Sequence, residues 1–189
     1  MSRKQRVIYY LDCGDVEHLD SEEIKAVLRG ADEIIATGGR GILAKILKGS
    51  KDKKILEHKL NECPSYGFYN NLTIDEITHR IDWMIKNHYM EIDYNGRLPM
   101  IVFTDKGWEI ERETYANELL NGLYKALDTK DTDMFYALKG KNRSLLLLLL
   151  EKIQLTGDGT LIPLLEIWKS IEFKKVQKEI QRVINQLSS

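Results

Sequence analysis

The chain changes its hydrophobic period once, and that change limits what it can fold into. From Thr73 to Ile85 the apolar residues recur at helical spacing. Ile74, Ile77, Ile81, Met84 and Ile85 form one buried stripe, and Thr73 with Glu76 makes a capping box at its start. After Asn87 the pattern turns extended. Tyr89 to Tyr94 and Met100 to Thr104 read as two strands around Asn95-Gly96, a pair that tolerates the positive φ of a tight hairpin.

Helices precede the hairpin. Asp20-Ser21 opens one with Ile24, Val27, Leu28, Ala31, Ile34 and Ile35 on a single face, and Gly38-Gly39 stops it. A short helix follows with Ile42, Leu43, Ile46 and Leu47 inward, ending at Gly49-Ser50. Lys53 to Leu60 is a further helical stretch, with Ile55, Leu56 and Leu60 apolar, and Cys63-Pro64-Ser65-Tyr66-Gly67 is a connector. Three helices followed by a two-stranded hairpin is the winged-helix order. In that fold the helix before the hairpin commonly lies in a groove of DNA.

The second half carries no strand signal. Tyr115 to Leu127 is apolar at helical spacing, and Arg143 to Leu155 holds a leucine run that covers both faces and so predicts a buried helix. Gly157-Asp158-Gly159 breaks it. Leu161 to Ile171 and Phe173 to Leu187 form a last helical pair, the latter with a stripe of Phe173, Val176, Ile180, Val183, Ile184 and Leu187. The fold class expected is α+β and predominantly α. It comprises an extended acidic segment over 1–19, a winged helix over 20–113 and an all-α region over 114–189. The last pair resembles one degenerate HEAT-type repeat.

Composition narrows the function. Hydrophobic residues are 43% and charged residues 30% of 189 positions, enough to bury a core and remain soluble. Cys13 and Cys63 are too few for a four-cysteine zinc site or a disulfide framework, and no His pair sits at ligand spacing beside them. The opening Met1-Ser2-Arg3-Lys4-Gln5-Arg6 has no signal-like apolar run. The longest apolar run that stands out, Leu145 to Leu150, falls far short of the roughly 20 residues that span a bilayer. A soluble cytoplasmic protein is expected, with no membrane partner, metal or cofactor. His58, His79 and His88 are scattered, and no nucleophile-base arrangement stands out, so no catalytic residue is assigned.

The formal charge of −1 hides an uneven distribution. Between Tyr10 and Ile35 eight acidic residues stand against Lys25 and Arg29, a net of −6. Between Arg40 and Leu60 seven basic residues stand against Asp52 and Glu57, a net of +5. Lysine runs are usually solvated surface, so the cluster alone does not establish a nucleic-acid partner.

The run Gly41-Ile42-Leu43, Ile46-Leu47-Lys48-Gly49-Ser50 and Lys51-Asp52-Lys53-Lys54-Ile55 is similar to the signature of the RQC domain of RecQ-type helicases. The resemblance continues in register through Ser65-Tyr66-Gly67, the helix from Thr73, His88-Tyr89-Met90 and Phe103-Thr104-Asp105-Lys106-Gly107, covering about Asp20 to Arg112. It implies duplex or structured DNA as partner, gripped through phosphates at the Gly-Ser turn. By position that role falls to Lys48, Ser50 and Lys54, with Gly49 in the turn and Lys51 and Lys53 beside it. A Gly-Ser turn leading into a helix is expected to present backbone N–H groups and a hydroxyl to an anion. Neutralising about four phosphates would make affinity fall roughly 100-fold between 50 and 200 mM salt.

The chain departs from the family in three ways. Lysines replace the family's arginines, which keeps charge but loses bidentate phosphate geometry. The hairpin tip, Asn95 to Pro99, is short and lacks an aromatic, which argues against a strand-separating wedge. No Gly-x-x-x-x-Gly-Lys-Ser/Thr loop is present, so no helicase motor is expected. Arg97 at that tip is either a contact to phosphate or minor groove, or a solubilising turn residue. Asp75, Glu76, His79, Arg80, Asp82, Trp83 and Lys86 form the outward face of the Thr73 helix, where the early carboxylates would repel phosphates. That helix is therefore read as structural or interactive, and Trp83 as a packing contact. DNA binding in repair, replication or transcription control is the leading expectation. The alternative is a protein-interaction module, with a protein partner held by the winged helix and the C-terminal helices.

Overall fold

In the computed structural model, which describes residues 8–188, helices begin where side-chain caps dictate. The Asp20 carboxylate accepts from the Glu22 and Glu23 amides, and Glu23 accepts from the Asp20 amide, opening α1 (Ser21–Asp32). Helix α2 (Arg40–Lys48) ends on left-handed Gly49, and the Asp52 side chain caps the one-turn α3 (Lys53–Glu57). The reciprocal Thr73–Glu76 box starts α4 (Ile74–Lys86).

Strands β1 (Met90–Asn95) and β2 (Leu98–Phe103) pair antiparallel, with Asn95 opposite Leu98. The two-residue turn is therefore Gly96-Arg97, one position later than Asn95-Gly96. Gly96 takes φ +64° at the first central position, where hairpin turns favour glycine. The far edge of β2 is covered too: the Ala36 N–H donates to the Ile101 carbonyl and the Ile101 N–H to the Gly38 carbonyl, both at 2.9 Å.

Two compact units divide the chain, Met1–Glu111 and Arg112–Ser189. The first is a winged helix in which Val27 and Leu28 of α1, Leu43, Ile46 and Leu47 of α2, and Ile77, Ile81 and Met84 of α4 are fully buried with Met90 and Ile101 of the hairpin. Leu19 belongs to this core, and Leu11 and Val16 pack against it. Of the N-terminal segment read over 1–19, residues 1–7 lie outside the described residues.

The second unit is all helical. Helix α5 (Asp105–Thr129) contains the boundary between the units, and α6 (Asp133–Leu138), α7 (Arg143–Thr156), α8 (Ile162–Ile171) and α9 (Lys174–Leu187) follow. The Trp168 and Phe135 rings lie nearly parallel, with centroids 6.4 Å apart, among Leu149, Ile153, Leu165 and Ile180. The leucine run is buried at Leu145, Leu146, Leu149 and Leu150 and half-buried at Leu147 and Leu148.

Two stripe residues depart from the helical reading. Ile74 is 39% exposed because it occupies the first helical position, ahead of the packed turns. Phe173 is 61% exposed because it is the N-cap of α9, with extended backbone that turns it off the helix face. Both cysteines are free thiols, Cys63 buried and Cys13 half-buried. Among the described residues no helix is long and apolar enough to cross a membrane, and no His/Cys/Asp/Glu cluster could hold a metal ion.

Candidate nucleic-acid interface

The turn after α2 is built by two segments that are distant in sequence. Gly49 has φ +75°, and a Cβ there would lie 3.0 Å from the Gly67 Cα, so only glycine fits without movement. The Gly67 N–H donates to the Ile46 carbonyl (3.0 Å), the Tyr69 N–H to the Leu47 carbonyl (2.8 Å) and the Tyr66 hydroxyl to the Ser50 carbonyl (3.0 Å). Ser65-Tyr66-Gly67 thus clamps Gly49-Ser50 from the side.

Several amides of the turn are used internally. The Gly49 N–H donates to the Ile46 carbonyl and the Ser50 N–H to the Lys45 carbonyl. The Asp52 N–H donates to the Ser50 hydroxyl (3.2 Å), and the Lys54 N–H to the Asp52 carboxylate (3.0 Å). Four amides of this segment are thus used in capping, which leaves fewer backbone N–H groups for the anion cradle expected from the Gly-Ser turn. Beside its remaining amides the turn presents exposed side-chain charge at Lys51, Lys53 and Lys54.

That charge is smaller than the sequence sum. Lys45 pairs with Asp52 at 2.7 Å, and this bond, followed by the Lys54 amide, holds the Asp52 carboxyl below its ordinary range. Arg40 is bound to Asp82 at 2.5 and 2.7 Å and also donates to the Tyr10 carbonyl. The Lys48 ammonium donates to the Asn70 carbonyl at 2.6 Å, and Lys53 makes a loose exposed pair with Glu57 at 3.4 Å. Lys51, Lys54 and Lys59 are exposed and carry no ion pair among the described residues. In the sequence only the charge count marks Lys59, which lies outside the motif that points to the others. The structure brings Lys48, Gly49, Ser50, Lys51, Lys53 and Lys54 into one turn and the helix after it. Arg97 stands exposed at the hairpin tip, with no hydrogen bond or ion pair to that turn among the described residues.

Helix α4 is not an open reading surface. Asp82, placed on the outward face by the sequence, is 2% exposed because the segment before α1 crosses it. The Asp12 N–H donates to the Asp82 carboxylate (2.9 Å), and the Trp83 indole N–H to the Glu17 carbonyl (2.9 Å). The Trp83 ring stacks on Tyr89, with centroids 6.0 Å apart, so it is a packing contact. This covering segment carries Asp12, Asp15 and Glu17, whose charge opposes a phosphate over α4.

A second pair of motifs meets at the hairpin base. The Thr104 hydroxyl lies 2.7 Å from the His88 carbonyl and 3.1 Å from that of Tyr89, and it accepts from the Gly107 N–H. A Cβ on Gly107 would fall 1.9 Å from the Tyr89 carbonyl oxygen. Thr104 and Gly107 therefore seat the start of α5 on the entry to β1.

Comparison with known proteins agrees with this construction. The model of the RQC domain family matches residues 19–118. Over 101 residues the chain is 25% identical to the ATP-dependent DNA helicase RecQ of Bacillus subtilis (strain 168), a match covering 53% of this chain and 17% of the helicase. No solved structure matches it.

Proposed function

The chain belongs to the RQC family, and from that premise we propose that it binds duplex or structured DNA through the phosphate backbone. The observation that carries this reading is the clamped turn after α2, with Lys51 and Lys54 exposed on it and in no ion pair among the described residues. Lys59 extends the same positive surface, and Lys48 can exchange the Asn70 carbonyl for a phosphate at little cost, being a flexible ammonium. Ser50 and Gly49 hold the turn's shape, Lys53 adds partly paired charge, and Arg97 supplies a separate contact at the hairpin tip.

Phosphate contacts fix position and carry no sequence information, so the reading is one of backbone or shape recognition. The covered α4 supports that emphasis, because the helix that would enter a groove is occupied by the chain's own N-terminal segment. The chain acts without a catalytic step or cofactor, in the cytoplasm, bringing DNA to repair, replication or transcription machinery.

The test is fluorescence-anisotropy titration of a labelled duplex, with the parent protein and Lys51→Glu/Lys54→Glu. Micromolar or tighter binding at 50 mM salt that weakens at least tenfold in the variant is the expected result. A folded parent that fails to bind at 50 mM salt, or a variant that binds equally well, contradicts the reading. Failure of the parent would move the search to a protein partner.

A further inference from the structure

One end of the second unit concentrates charge and exposed aromatic surface that folding does not use. Helix α9 packs against both α7 and α8. A Cβ on Gly159, just past the end of α7, would touch the Leu187 carbonyl at the end of α9 at 3.4 Å, which places both C-termini together. Their N-termini therefore share the opposite end. There the Lys139 ammonium lies over the Phe173 ring, 5.5 Å from its centroid. This contact joins the segment leading into α7 to the start of α9.

Five cations gather at this end: Lys139, Arg143, Lys174, Lys175 and Lys178, all exposed and without an ion pair among the described residues. On α9 the buried stripe of Val176, Ile180, Val183 and Ile184 leaves Lys174, Lys175 and Lys178 within an outward arc of about 100°. The nearby acids do not neutralise them. Glu172 is buried, accepting from the Trp168 indole and the Phe173 amide at 3.1 Å each, and Glu179 pairs with Arg182. Residues 112–189 hold 12 basic and 10 acidic residues, a net of +2, so five cations here leave −3 for the rest. Two of the lysines also sit in the first turn of α9, where the helix dipole disfavours positive charge.

The aromatics share this end. Tyr136 is 66% and Phe173 61% exposed; Lys139 follows Tyr136 by three residues, at the end of α6, and its ammonium lies over the Phe173 ring. Exposed rings beside unpaired cations supply the two contacts a single strand needs, stacking for its bases and charge for its phosphates.

We propose that this end of the helical unit binds single-stranded nucleic acid, with Phe173 and Tyr136 stacking bases and Lys139, Arg143, Lys174, Lys175 and Lys178 holding phosphates. The site is separate from the turn after α2 and stands whether or not that turn binds duplex. Engaging about four phosphates makes affinity for a single strand fall roughly 50-fold between 50 and 200 mM salt.

The test uses the full chain and a labelled oligo-dT of about 12 nucleotides, followed by anisotropy. Phe173→Ala is expected to weaken binding about tenfold. Lys174→Glu/Lys175→Glu should weaken it more, while Lys51→Glu/Lys54→Glu leaves oligo-dT affinity within about twofold. All of these side chains are exposed, and unchanged far-UV circular dichroism and thermal midpoint certify the fold. Parent protein that does not bind oligo-dT at 50 mM salt overturns the proposal. So does a Phe173→Ala or Lys174→Glu/Lys175→Glu protein that binds as the parent does. Loss of oligo-dT binding in Lys51→Glu/Lys54→Glu alone would move the single strand to the first unit and equally overturn it.

Discussion

The two units are stabilised by different kinds of constraint, and only one kind leaves a readable signature. In the winged helix several residues are demanded by backbone geometry. Gly107 lies where any Cβ would strike the Tyr89 carbonyl, Gly49 sits against Gly67, and Thr104 ties α5 to the hairpin entry. Such positions accept one residue type at fixed spacing. In the helical unit the packing of Leu149, Leu165, Trp168 and Ile180 is done by apolar volume, which many sequences supply equally well. The family match runs over residues 19–118, where the backbone constraints lie.

Within α5 the comparison is sharpest. Gly107→Ala should cost on the order of 4 kcal/mol or prevent folding, because backbone must move to admit the methyl group. Gly122→Ala in the same helix should add about 0.5–1 kcal/mol, since its Cβ would meet only the Met134 side chain at 3.4 Å. Urea unfolding measures both. Equal effects at the two positions would erase the distinction drawn between the units.

Smaller effects test the helical unit itself. Leu149→Ala should cost about 3 kcal/mol through the cavity it leaves, while Leu149→Met should cost less than about 1.5 kcal/mol. A Met variant as damaging as Ala would mean that this core, too, demands particular shapes.

The smallest effect is electrostatic. Asp52 is held below the ordinary carboxylate range by Lys45 and then the Lys54 amide, and Asp158 by the Thr160 hydroxyl and amide. A folded-state pKa below the unfolded value gives stability that is present above about pH 4 and lost as pH falls through the folded value. Asp52→Asn and Asp158→Asn should therefore lower stability at pH 7 by more than at pH 3. A gap that widens towards acid would contradict the assigned bonds.

The same contrast explains what was legible in the sequence. The Thr73 capping box, the hairpin and the motif-bearing glycines could be read because local geometry requires those residues. The turn's lysines were legible as a cluster, but their pairing was not. Lys45, Arg40 and Lys48 find partners at Asp52, Asp82 and Asn70, the last two more than twenty positions away. Nor could helical periodicity show that Asp82 is buried, because the segment covering it comes from far upstream in the chain. Phe173 reads as part of a stripe for a related reason: the periodicity continues through an N-cap whose backbone has already left the helix.

Under the proposed function, Lys51 and Lys54 on the clamped turn meet DNA phosphates through their ammonium groups. The most direct measurement is the slope of log affinity for a short duplex against log salt, for the parent and for Lys51→Glu/Lys54→Glu. Each phosphate contact contributes about 0.9 to that slope, so losing two should lower its magnitude by about 1.8. A slope unchanged by the double variant would place the duplex elsewhere on the protein and contradict the account.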